Sequence, residues 1–358
     1  MADRFEGARI VVAGGSGFIG SALILHLLNA TAAEVINLDA LTYAANPRSL
    51  LAAEASPRYA FERVDVRDAE AVRAALERHG PTAIVNLAAE SHVDRSIDAP
   101  GAFVATNLVG AFTLLQEALR FWRGLGAAEQ AGFRLLQVST DEVFGSLDGA
   151  EVCDETAPYR PNSPYAATKA GADHLARAWG VTYGLPVLVT HGANTYGPRQ
   201  FPEKLVPMMI LRGLEGRELP VYGQGDNVRD WLHVEDHARA LALALERGTP
   251  GATYGVGGAG LRRNIEVVRA VCAALDRLAP AAAPRESLIR FVADRPGHDR
   301  RYALDSSRIV RELGWRPRED FEAGLERTVR WYLDNRGWWE PLLDGDALRR
   351  RGLGNGGA

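Results

Sequence analysis

The sequence predicts an α/β fold, a doubly wound parallel sheet with helices on both faces, followed by a smaller C-terminal lobe that closes over a ligand. Three observations predict it. Short apolar runs alternate with segments of helical period from Arg9 to about Val138. A glycine-rich turn joins the first apolar run to the first helical stretch. Beyond about Thr190 the same rhythm is interrupted by loops rich in Gly and Pro, as in GANTYGPRQFPEK, ELPVYGQGDNVRD and FVADRPGHDRR.

In chain order the predicted strands are ARIVVA, EVINLD, YAFERVD, AIVNLAA and RLLQVS, each short, apolar and bounded by a helical segment. Uninterrupted apolar strands of this kind suit a sheet covered on both sides. The division that follows is a sheet domain over 1–190, which carries the catalytic residues, and a substrate lobe over 191–341, from which some chain crosses back. Residues 342–358 form a tail, whose RRRGLGNGGA end from Arg349 is given no function.

With 358 residues and 47% hydrophobic content, the chain can bury one large core or two modest ones. A net charge of -4 supplies no basic field, so nucleic acid is not an expected partner. A phosphate-bearing ligand would need local donors. Cys153 and Cys272 show neither disulfide-framework nor metal spacing, so no metal is expected and a reducing cytoplasm is. The start of the chain has no basic leader and no apolar run approaches 18 residues, so no membrane association is expected.

The glycine turn is Gly14-Gly15-Ser16-Gly17-Phe18-Ile19-Gly20, leading into SALILHLLNA. Gly14 allows the tight turn, Gly17 a close approach of a diphosphate to bare helix N–H groups, and Gly20 close packing of helix on strand. Asp39, ending the second strand, can accept both hydroxyls of an adenosine ribose and would repel a 2′-phosphate, which selects NAD over NADP. Asp65 and Val66 end the third strand where an adenine edge is read, and Leu87, Ala88 and Ala89 end the fourth beneath the nicotinamide half.

Tyr165 and Lys169 lie four apart on a helical stretch, so both project from one face. An ammonium beside the phenol is expected to lower its pKa and make Tyr165 a base for a hydroxyl proton. Asp141 and Glu142 follow strand RLLQVS at the C-terminal edge of the sheet. Oxidation or epimerisation needs only the tyrosine chemistry; eliminating water needs an acid for the leaving hydroxyl and a base for a carbon-bound proton, which two adjacent carboxyl groups supply.

The Gly-x-x-Gly-x-x-Gly spacing with Tyr165-x-x-x-Lys169 resembles the extended short-chain dehydrogenases/reductases, with their Rossmann-type sheet. Ser139 to Gly145, LAAESHVDRSI, FPEKLVP, LPVYGQGDNVRDWLHVEDHARAL and RPGHDRRYALD resemble, more narrowly, the dTDP-glucose 4,6-dehydratases of the nucleotide-sugar 4,6-dehydratase family. That resemblance implies a bound NAD reduced and reoxidised in each turnover, a nucleoside-diphosphate sugar as partner, and a homodimer formed through helices near 102–119 and 165–183. It implies Asp141 as acid, Glu142 as base at C5, Tyr165 as base at O4 with Thr140 as its companion, and Lys169 on the nicotinamide ribose. It adds Leu41, Thr42 and Thr106 to the NAD site. On the substrate it places Ser91, Thr140, Asn194, Glu203, Lys204, Leu205, Arg229, Asn264, Arg295 and His298, with Pro220 and Tyr222 near the base.

The sequence departs from that pattern at Phe144, His191 and Thr195, and the last two are expected beside the sugar-diphosphate loop. Plant-type UDP-glucose 4,6-dehydratases share a stretch like Gln200 to Lys204, so thymine and uracil nucleotides both fit the sequence.

Overall fold

The computed structural model describes residues 5–258 and 260–343. Six strands come first: β1 (Arg9–Ala13), β2 (Glu34–Asp39), β3 (Tyr59–Arg63), β4 (Ala83–Asn86), β5 (Arg134–Thr140) and β6 (Val187–Gly192). Then follow β7 (Asn194–Tyr196), β8 (Leu219–Tyr222), β9 (Val228–His233), β10 (Thr253–Val256), β11 (Leu261–Arg263) and β12 (Ile289–Val292). A seven-stranded, wholly parallel sheet has the order β3-β2-β1-β4-β5-β6-β10. Strand order reverses between β1 and β4, which opens a crevice at their C-terminal ends.

Both faces are dry because the strands are apolar on both sides. Ile10 and Val12 of β1 point into a core shared with Leu23, Ile24 and Leu27 of the Phe18–Ala30 helix and Leu241 and Leu245 of the Val234–Arg247 helix. Val11 and Ala13 point the other way, into a core with Leu76, Leu115, Leu119 and Trp179. The chain that builds the lobe crosses back twice: β10 adds to the sheet beside β6, and Ile309, Leu313 and Trp315 join the first core.

The lobe has its own core, in which Met209, Ile210, Val268, Leu275 and Tyr332 are buried. Its strands form a three-stranded sheet, β11-β9-β7, and a parallel pair, β12-β8. Leu342 and Leu343, the first residues of the expected tail, pack partly against this core; 344–358, with the Arg349 to Ala358 end, lie outside the described residues.

One described stretch, Pro100–Arg123, is long and apolar enough by composition to cross a membrane. Leu114, Leu115, Ala118 and Leu119 within it are buried in the second core.

Candidate active site

The turn after β1 is built from backbone in contact with backbone. Gly14 has φ +80°, and a Cβ there would lie 2.6 Å from the Ala88 nitrogen and 2.7 Å from the Leu87 carbonyl carbon. A Cβ on Gly20 would run into the Gly14 carbonyl oxygen and lie 2.7 Å from the Gly15 Cα. Strand, turn and helix therefore touch without side chains between them, as the sequence reading of Gly14 and Gly20 requires. The Phe18–Ala30 helix starts at Gly17 with no side-chain cap and no acid in its first turn, which leaves its N–H groups to an anion.

Asp39 ends β2 nearly buried. Its Oδ2 accepts from the Ser16 N–H (2.9 Å) and its Oδ1 from the Leu41 N–H (2.8 Å). Both oxygens keep a lone pair for a ribose hydroxyl. Burial raises its pKa, and the two N–H donors oppose that rise. Leu41 adopts φ +56° where it makes this bond and is not among the residues that line the cleft.

From this turn one cleft runs along the C-terminal edge of the sheet to the lobe. Gly14, Gly17, Phe18, Ile19, Gly20, Asp39, Thr42, Asp65, Val66, Leu87, Ala88, Ala89 and Thr106 line the dinucleotide end. Ser91, Thr140, Asp141, Glu142, Tyr165, Asn194, Glu203 and Lys204 line the other. Glycine cradle, ribose-type carboxylate and open helix N-terminus lie together, so these residues fit NAD. The same cleft is lined by Arg67, paired with Asp65 at 2.6 Å, and by Gln200, Phe201 and His237, which lie in stretches the sequence reading quoted without giving these residues a role. Arg67 stands two residues after Asp65, just beyond β3, which was a usable signal; His237 sits in the first turn of the Val234–Arg247 helix, where no spacing points to it.

β5 delivers the acids. Thr140 caps the single 3₁₀ turn Asp141–Phe144, its hydroxyl oxygen accepting from the Glu142 N–H at 3.3 Å. Asp141 is held well above the usual carboxylate range by burial, then by Glu142 and Asp230, against Arg229 and the Thr140 hydroxyl. Its Oδ2 has no protein partner. Glu142 is raised by burial too, but Arg295, Arg229 and Lys204 all oppose the rise. The two neighbours therefore sit in unlike fields.

Tyr165 and Lys169 open the Pro164–Tyr183 helix, which Ser163 caps by accepting from the Ala166 N–H (3.1 Å). Lys169 Nζ donates to the Val138 carbonyl at 2.6 Å. The expected lowering of the Tyr165 pKa is not produced by the polypeptide. Burial and the Glu142 and Asp141 carboxylates push the phenol up, a hydrogen bond with Thr140 opposes them, and burial lowers the Lys169 ammonium in turn.

On the substrate side, Lys204 Nζ donates to the Ser91 carbonyl (2.6 Å), and burial lowers its pKa. Glu203 accepts from the Tyr43 hydroxyl (2.9 Å) and from Arg95 Nε (2.8 Å), tying two loops to the Val93–Asp98 helix. Arg229 and Asp230 are both buried and are not paired with each other: Arg229 donates to the Asp299 carbonyl (2.8 Å) and stacks over Tyr302, while Asp230 accepts from the Gly258 and Gly260 N–H groups (3.0 Å each).

Arg295, Tyr222 and His298 form a group that is not among the residues lining the cleft. Tyr222 donates to Asp94 Oδ2 (2.7 Å), Arg295 Nε lies 3.4 Å from Asp94 Oδ1, and His298 meets Asp294 at 2.6 Å. Pro220 lies in β8 opposite Arg290 of β12. Asn264 starts the helix after β11, its Oδ1 buried and unpartnered, and Leu205 starts the helix after Lys204, packed on the lobe core.

One of the departures lies elsewhere than expected. His191 is fully buried on β6, under the Phe144 ring and bonded to the Tyr159 hydroxyl at 2.7 Å, beneath the cleft and away from any diphosphate loop. Its position in the strand turns it inward. Thr195 does line the cleft, its Oγ1 2.8 Å from His237 Nδ1. Outside the cleft, His233, Glu235 and Glu319 come together, but Arg327 pairs with both carboxylates.

Residues 11–328 match the model of the family described as GDP-mannose 4,6 dehydratase. A dTDP-glucose 4,6-dehydratase of Neisseria meningitidis serogroup B is 52% identical over 352 residues, covering 97% of this chain and 99% of that protein. The crystal structure of DesIV, a dTDP-glucose 4,6-dehydratase from Streptomyces venezuelae with NAD and TYD bound, superposes with TM-score 0.85 at 48% identity, over 93% of this chain and 99% of that one. A Thermus thermophilus UDP-glucose 4-epimerase in complex with NAD is more distant, with TM-score 0.80 and 32% identity over 91% and 99% of the two chains.

Proposed function

The chain belongs to the GDP-mannose 4,6 dehydratase family, and from that premise we propose how it works as an NAD-dependent dTDP-glucose 4,6-dehydratase, a hydro-lyase. It converts dTDP-glucose to dTDP-4-keto-6-deoxyglucose by oxidation at C4, loss of water across C5 and C6, and return of hydride to C6. The observation that carries the elimination is the turn after β5, where two adjacent carboxyl groups, Asp141 buried and Glu142 half-buried, sit in unlike fields beside Tyr165.

NAD, when bound, supplies the hydride acceptor and donor and brings a positive charge beside the phenol. Gly14, Gly17 and Gly20 with the helix N-terminus hold its diphosphate, Asp39 its adenosine ribose, and Lys169 its nicotinamide ribose. Tyr165 takes the O4 proton, with Thr140 hydrogen-bonded to the same oxygen. The new carbonyl acidifies the C5 proton, which Glu142 removes; its three cationic neighbours keep it the more acidic of the pair and so the base. Asp141, the more strongly raised group, is the protonated one and gives its proton to the departing C6 hydroxyl. Glu142 then returns a proton to C5, and the proton on Tyr165 balances the one lost by Asp141.

Lys204, Arg229 and Arg295 are the charge partners of the nucleoside diphosphate. The sugar is met by Ser91, Thr140 and Asn194, and the base by Pro220 and Tyr222. The division into a cofactor domain over 1–190 and a substrate lobe over 191–341 is part of the same reading. Val104, Val109, Phe112, Val181 and Tyr183 are exposed on the helices near 102–119 and 165–183, which supports a homodimer packed through them. Two buried free cysteines agree with a cytoplasmic enzyme.

The test is direct. Purified protein is incubated with dTDP-glucose and the product identified by mass and NMR. A 4-keto-6-deoxy product, one water lighter than the substrate, is expected; a 4-epimer of unchanged mass would overturn the reading.

A further inference from the structure

His237 projects from the Val234–Arg247 helix, which covers the sheet face opposite Tyr165 and packs against the Phe18–Ala30 helix of the glycine turn. It is 1% exposed yet lines the cleft, and its Nε2 has no protein partner. Room for the ring is provided by Gly192 at the end of β6: a Cβ there would lie 2.5 Å from Cε1 and 2.9 Å from Nε2 of His237. The Cε1–Nε2 edge thus lies against the strand end, where the cleft passes Ala193 and Thr195.

The Thr195 hydroxyl lies 3.0 Å from the Ala193 carbonyl and 2.8 Å from His237 Nδ1. When its proton goes to the carbonyl, it accepts from the Nδ1–H and leaves Nε2 with a lone pair. Burial lowers the His237 pKa to about 4, so the ring stays neutral at physiological pH. A buried acceptor without a donor is costly, and a ligand N–H or O–H answers it.

We propose that His237 Nε2 accepts a hydrogen bond from the carboxamide N–H of the nicotinamide ring, with Thr195 fixing the tautomer that makes this possible. The inference rests on NAD occupying the cleft. It assigns the donor to the cofactor because His237 enters from the face that carries the diphosphate helix, while the sugar is held from the other face by Tyr165. The contact orients the ring about its glycosidic bond, which sets the face offered to C4 of the sugar.

The experiment compares binding of NAD and of its 3-acetylpyridine analogue, which keeps the ring carbonyl but has no N–H, by competition against labelled NAD on the full chain. Wild type is expected to prefer NAD by about 3- to 10-fold, the worth of one neutral hydrogen bond. His237→Leu should lose that factor for NAD alone and bind both equally; His237→Gln, which can still accept, should restore the preference. A His237→Leu protein that keeps the wild-type preference, or weakens equally for both dinucleotides, overturns the proposal. Should that variant not fold, Thr195→Val frees the tautomer and must reduce the preference; an unchanged ratio overturns the proposal. Wild type that binds neither dinucleotide sinks the proposed function itself.

Discussion

The two ends of the cleft are built from different materials. The dinucleotide end is backbone against backbone: Gly14 beside Ala88, Gly20 beside Gly15, and helix N–H groups left open at Gly17. The other end is a cluster of ionisable groups, Asp141 and Arg229 buried and Glu142, Lys204 and Arg295 half-buried, within one another's fields. In the proposed reading, shape holds the cofactor, whereas fields move protons. A change at the first end should act on fit and stability together; at the second, removing a charge should hurt catalysis and can help the fold.

Glu142→Gln is the sharpest way to break that contrast and has the largest expected effect. Without a base for the C5 proton, turnover should fall by roughly 100- to 10,000-fold while substrate still reduces bound NAD in a single turnover. Rapid-mixing absorbance and product analysis check it, and full turnover would remove Glu142 from the mechanism.

Gly14→Ala should come next. A non-glycine residue at φ +80° costs roughly 1–3 kcal/mol, and the backbone of β4 blocks its Cβ. Loss of co-purifying NAD and a lower Tm are expected; a variant with wild-type NAD content would mean that the turn relaxes freely.

Asp141→Asn should act on stability with the opposite sign. The folded pKa of Asp141 is raised, so the fold loses stability as pH rises above the ordinary carboxylate pKa towards that raised value. Replacing it should therefore stabilise the protein at neutral pH by roughly 1–3 kcal/mol, the cost of a poorly satisfied buried group, while abolishing dehydration. The gain should vanish as pH falls below about 4, where the carboxyl is protonated folded or unfolded. Thermal melts across pH measure it, and a destabilised variant at neutral pH would contradict the assigned field.

The same contrast governs what could be read before the structure. Glycines at fixed spacing and Asp39 at a strand end are local signals, and both lie where the sequence placed them. Asp141 and Glu142 were legible because they adjoin a strand. The field that separates them was not: Lys204, Arg229 and Arg295 arrive from three distant segments, and only packing brings them to Glu142. For the same reason spacing placed Lys169 beside Tyr165 but misjudged the phenol, since two carboxylates and burial outweigh an ammonium tied to Val138. His191 misled because a strand residue near a loop still points inward when the pleat turns it so. His237 gave no signal because its role depends on Gly192 and Thr195, more than forty positions earlier in the chain.

The most direct test of the central claim is turnover of dTDP-glucose in deuterium oxide. If Glu142 removes the C5 proton and a solvent-equilibrated proton returns there, the product carries one deuterium at C5, while the hydrogen gained at C6 comes from the substrate's C4. A product with protium retained at C5 would contradict elimination by the Asp141–Glu142 pair.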